Sequence, residues 1–184
     1  MKIRYAALAA AALLTLGFST PADASGSPHG PKAGTTTTTE VLADGTTIVT
    51  EVTYGPEINP GGKGYALCRT FSYKDTAIDF PSYQELAWHR MTIYFCYTGS
   101  AISGTPVITY HSADSTAYGT ALGVDWRVTG LSGPSKLSTY QWTSTGYADY
   151  VQCIVGTSIG CFRSRSTYIT LNPQGSGAVG WAHS

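Results

Sequence analysis

The sequence predicts an all-β fold: an antiparallel β-sandwich or barrel of about seven or eight short strands, with an N-terminal β-hairpin appendage. Three observations carry this expectation. From Tyr65 onward, apolar and polar residues alternate with period two in short runs, the pattern of a half-buried strand. The runs are punctuated by turn formers, among them many of the chain's 21 glycines and 9 prolines. A helix signal is confined to Ser82–Glu85, a capping-box spacing after Pro81 that supports only a turn or two.

The elements follow in chain order. Met1–Ala24 is organised as a secretory signal peptide: Lys2 and Arg4, an apolar run from Tyr5 to Phe18, and an A-x-A cleavage site at Ala22 and Ala24. The run is shorter than the roughly 20 residues a bilayer crossing needs. The first cysteine, Cys68, lies far from the cleavage point, so no lipid anchor is expected. A secreted, extracellular chain of roughly 160 residues results, enough for one domain with a sizeable core. Residues 25–64 read as a flexible leader, a Thr-rich hairpin over Thr35–Thr53 turning at Asp44-Gly45, and a linker containing Pro56, Pro60, Gly61 and Gly62. A disulfide-containing β domain is expected over 65–184.

Within that domain, Thr120–Thr129 gives the clearest strand, with Leu122, Val124, Trp126 and Val128 on the face expected to be buried. In Trp88–Tyr97, Met91, Ile93 and Phe95 form the apolar face, and Arg90, Thr92, Tyr94 and Cys96 the other. Further strands are expected over Tyr65–Phe71, Val107–His111, Leu137–Thr143, Tyr147–Val155 and Phe162–Leu171. Four cysteines in an exported chain point to two disulfides. Three pairings exist; Cys68–Cys96 across neighbouring strands and Cys153–Cys161 closing a hairpin are favoured. Their spacings fit no zinc pattern.

Composition removes several function classes. With 11 basic and 11 acidic side chains and only 12% charged residues, the chain has no electrostatic footprint for nucleic acid or anionic membrane. No Walker A, dinucleotide-binding or EF-hand pattern occurs, and no cofactor is expected. Gly156-Thr157-Ser158-Ile159-Gly160 matches G-x-S-x-G, but it lies between two cysteines rather than between a strand and a helix, so a glycine-rich turn explains it better. His29 lies in the leader and His183 next to the C-terminus, leaving His89 and His111 within expected strands. Asp75, Asp79, Asp114, Asp125 and Asp149 are scattered.

Aromatic residues are the compositional surplus, with 13 tyrosines and 4 tryptophans. Tyr140 and Trp142 are expected on one strand face, and Trp88, Arg90 and Tyr94 on another. Aromatic groups with polar tips stack on sugars or anchor protein interfaces, because they offer contact area at low entropic cost. These five residues are therefore the candidate ligand-binding set. The expected function is a secreted binding or interaction module for a cell-envelope glycan or a protein. The alternatives are a small extracellular hydrolase using His89 or His111 with an aspartate, and a protease inhibitor presenting the loop Ile154–Gly160.

The run Trp88–Gly99 (WHRMTIYFCYTG), with Val151-Gln152-Cys153 and Ile159-Gly160-Cys161, resembles a pattern in small secreted actinobacterial β-proteins of uncharacterised function. Its elements are a Cys-Tyr-x-Gly and a later Gly-Cys, and it spans roughly Tyr65 to Gly177. The resemblance implies a cysteine-pinned β domain and brings no activity with it. The Thr-rich hairpin is not part of the pattern.

Overall fold

The computed structural model describes residues 30–43, 45–62, 66–153 and 161–184. The expected signal peptide, Asp44, Tyr65 and the segment Ile154–Gly160 with its G-x-S-x-G pentapeptide lie outside the described residues. The rest is two antiparallel sheets packed face to face. The first is ordered β1(Gly34–Val41)-β2(Thr47–Tyr54)-β3(Leu67–Ile78)-β4(Glu85–Tyr97)-β5(Ile102–Ser115), and the second β6(Val124–Lys136)-β7(Trp142–Cys153)-β8(Cys161–Pro173)-β9(Val179–His183). Neither sheet closes on itself, so the all-β fold is a sandwich and not a barrel.

The N-terminal hairpin is present, as expected, and its second strand pairs with the first strand of the main domain. β2 pairs with β3 over eight positions, from Thr47↔Ile78 to Tyr54↔Phe71. Ile48 and Val52 are 3% and 8% exposed and belong to the two apolar clusters of the interior. The expected boundary at Tyr65 therefore cuts through a continuous sheet. The intervening segment also keeps to it: Ile58 and Cys68 exchange both backbone hydrogen bonds at 2.8 Å.

Both favoured disulfides are formed, Cys68–Cys96 and Cys153–Cys161, and no described cysteine is free. Cys68 and Cys96 are directly opposite in the β3–β4 register, on the outward face of the first sheet. Cys68 is nonetheless buried, in register with the Ile58 bridge.

Several local expectations are corrected by tertiary context. Ser82–Glu85 forms no helix: Asp79 and Gln84 close the short β3–β4 connection through a 2.9 Å backbone bond, and Ser82 Oγ donates to Asp79 Oδ2 at 2.7 Å. The helix that does form is α1(Ala117–Ala121), capped by Thr116, whose hydroxyl accepts from the Gly119 N–H. The strand expected over Thr120–Thr129 starts only at Val124. Val124 and Trp126 are buried as expected, but Leu122 ends α1 and is 40% exposed, and Val128, opposite Ala148 just before a register shift, is 40% exposed as well. Leu137–Tyr140 is a turn before β7 rather than part of a strand. β9, unforeseen in the glycine-rich C-terminal segment, completes the second sheet.

The interior is divided. One apolar cluster contains Phe71, Tyr73, Met91, Ile93, Phe95, Ile169 and Leu171, and the other Ile48, Ala77, Leu86, Val124, Trp126, Ala148 and Tyr150. Between them runs a polar row set by register: Thr50 faces Asp75, and Asp75 faces His89. All three are buried.

Candidate functional site

Two places gather chemistry: the polar row inside the sandwich and a groove across the outer face of the first sheet. In the row, Asp75 accepts from Thr50 Oγ1 at 2.6 Å and pairs with His183 Nδ1 at 3.0 Å. That ion-pair geometry raises the His183 pKa from its ordinary value, the Asp75 hydrogen bond being the largest cause. His89 is fully buried and its Nε2 lies 3.1 Å from His111 Nε2, so one ring donates and the other accepts. Burial first, then the neighbouring His111, lowers the His89 pKa to about 4. Burial likewise lowers that of His111. Gly146 on β7 makes this pairing possible, because a Cβ at that position would overlap the His111 ring.

The two histidines foreseen as bases are thus together, but a substrate has no approach to His89, and its Nε2 is occupied by His111. The acid–base pair with a carboxylate is instead Asp75–His183. Sequence order conceals it, since the partners are 108 residues apart. Among the described residues no group of three or more metal-ligating side chains occurs.

The outer face is built by strand parity. On β4 the inward set Ala87, His89, Met91, Ile93 and Phe95 leaves Trp88, Arg90, Thr92 and Tyr94 outward. Register then aligns two transverse rows. One runs Thr35–Thr53–Ser72–Thr92–Tyr110 and the other Thr37–Glu51–Lys74–Arg90–Ser112. Four strand steps of ~4.8 Å make each row about 19 Å long. The groove between them encloses about 410 Å³ and is lined by Thr35, Thr53, Ser72, Lys74, Trp88, Arg90 and Tyr110 with Glu51 and Glu85.

Its geometry is fixed by contacts among the lining side chains. Trp88 and Tyr110 are stacked, with centroids 6.4 Å apart and planes at 25°. Arg90 Cζ lies 5.5 Å from the Tyr110 centroid, a cation–π distance, while Arg90 Nε donates to Ser72 Oγ at 2.9 Å. Lys74 is held between Glu51 at 3.8 Å and Glu85 at 3.6 Å.

Of the five residues in the candidate ligand-binding set, Trp88 and Arg90 line this groove. Tyr94 shares their face four residues beyond Arg90 along β4, about 13 Å away at ~3.3 Å per residue, beside Cys96. Tyr140 is in the turn before β7, and Trp142 begins β7 opposite Lys136 in the second sheet, so these two share neither a strand nor the groove. Tyr110, the stacking partner, was missed although its strand was foreseen. Its pairing with Thr92, in the same unbroken register as Trp88↔Asp114 and Arg90↔Ser112, lays it on the face of Trp88 and Arg90, and alternation within one strand does not reveal which residues pair across the sheet.

No family model, curated protein or solved structure matches the chain. No helix among the described residues is long and apolar enough to cross a membrane.

Proposed function

We propose that this is a secreted binding module that holds a glycan in the groove across the outer face of its five-stranded sheet. The observation carrying the reading is the Trp88–Tyr110 stack, with Arg90 packed on it, at one end of a row of hydroxyls. A pyranose has apolar C–H faces and a polar rim. Flat aromatic area suits the first, and Thr35, Thr53 and Ser72 suit the second. The open groove would accept an extended chain from the side. Two disulfides are consistent with an exported protein.

The test is calorimetry against soluble neutral hexasaccharides of the xylo-, cello- and chito- series. The reading expects at least one to bind and Trp88→Ala to weaken that binding by about thirtyfold. Failure of all three, or binding indifferent to Trp88→Ala, refutes it.

One observation favours a second reading, hydrolysis. His183 is oriented by Asp75, and its other nitrogen, Nε2, lies 4.0 Å from Glu40. Close by, a smaller groove is lined by Thr36, Thr38, Thr50 and Trp181. Turnover of a p-nitrophenyl ester that disappears in His183→Gln, with the fold intact, would support that reading.

A further inference from the structure

Resting on the glycan reading, we infer that the ligand carries a single oxyanion, a carboxylate or a sulfate ester, joined to neutral sugar units, and that Arg90 reads it. The charges of the groove are unequal in availability. Lys74 is neutralised twice over, by Glu51 and Glu85. Arg90 has no carboxylate within ion-pair distance among the described residues; it spends Nε on Ser72 and rests its guanidinium plane on Tyr110. Two terminal nitrogens are left for a ligand, in the planar fork that suits an oxyanion. Stacking holds that fork in one place, so less side-chain freedom is lost on binding.

The same arrangement excludes a polyanion. On either side of Arg90 an incoming chain meets carboxylates: Glu51 and Glu85 line the groove, and Asp114 stands opposite Trp88 in the β4–β5 register. A charge on every sugar would place anions against these acids, and like-charge contact opposes binding. Sugars over the Thr35–Thr53–Ser72 hydroxyls are therefore neutral, and one acid falls at Arg90.

The experiment uses the mature protein and each neutral hexasaccharide in two forms, native and oxidised at the reducing end to an aldonic acid, which adds one carboxylate. A singly sulfated form separates the two oxyanions, and hexagalacturonate supplies a charge on every unit. A singly charged form should bind about fivefold more tightly than its neutral parent, as expected for one exposed ion pair. Arg90→Gln should bring the two forms to equal affinity, whatever it does to both. Hexagalacturonate should bind no more tightly than the neutral sugars. Equal affinity of neutral and singly charged forms in the wild type overturns the inference and leaves glycan binding standing. So does a charge preference that survives Arg90→Gln, or tightest binding by hexagalacturonate. If no sugar binds in any form, the underlying reading falls with it.

Discussion

Acidification below pH 6.5 should destabilise this protein through His89. At pH 7 the buried His89 is neutral, and its folded-state pKa is held at about 4 by burial and by His111. In the unfolded chain it returns to about 6.5. Between these values the unfolded state binds a proton that the folded state refuses, so stability falls as pH drops from 6.5 to 4. The shift corresponds to about 3 kcal/mol in favour of unfolding at the acid end of the window. Geometry supports the direction: His89 Nδ1 has no hydrogen-bond partner among the described residues, so an imidazolium there would bury a charge with an unsatisfied donor. Urea melts followed by circular dichroism at intervals from pH 7.5 to 4 measure the slope. In His89→Gln the fall across this window should shrink by about 3 kcal/mol, even if the variant is less stable throughout. A wild-type stability flat from pH 6.5 to 4, or an unchanged slope in the variant, would refute the assignment. His183 acts oppositely: with its pKa raised by Asp75, its contribution is complete below pH 6.5 and is lost as pH rises through the folded value.

Four further outcomes are expected. A chain beginning at Gly62 should lose cooperative melting, because removing β2 strips Ile48 and Val52 from the core at roughly 1.5–3 kcal/mol each and leaves Asp75 without Thr50; a sharp melt would restore the boundary at Tyr65. Trp88→Ala should cost about 2 kcal/mol of glycan affinity, whereas Trp142→Ala on the other sheet should leave affinity unchanged, both read by calorimetry. Trp126→Phe should cost about 1 kcal/mol of stability through the 3.0 Å bond from its indole N–H to Thr167, measured by denaturant melts. Alkylation without reductant, followed by mass analysis, should label no cysteine in folded protein.

The sequence alone determined what depends on short-range pattern. Period-two alternation identified β4 and its buried Met91, Ile93 and Phe95, because parity assigns faces without reference to any other strand. The cysteine pairing was also accessible: Cys68 and Cys96 fall on adjacent strands, and Cys153 and Cys161 flank one connection. Trp88 and Arg90 were legible as an outward aromatic–cation pair for the same reason of parity.

What only the tertiary structure decided depends on which strands become neighbours and in what register. Asp75 gained its partners from β2 and from β9, and Tyr110 reached Trp88 through the pairing register of β4 with β5. The hairpin became part of the core because β3 offered an edge to pair with. Ser82–Glu85, which carries a helix signal, was instead confined to a turn by its two flanking strands. Alternation along one strand records which way each side chain points. The energy that joins strands lies in backbone ladders and cross-strand contacts, which no single segment encodes.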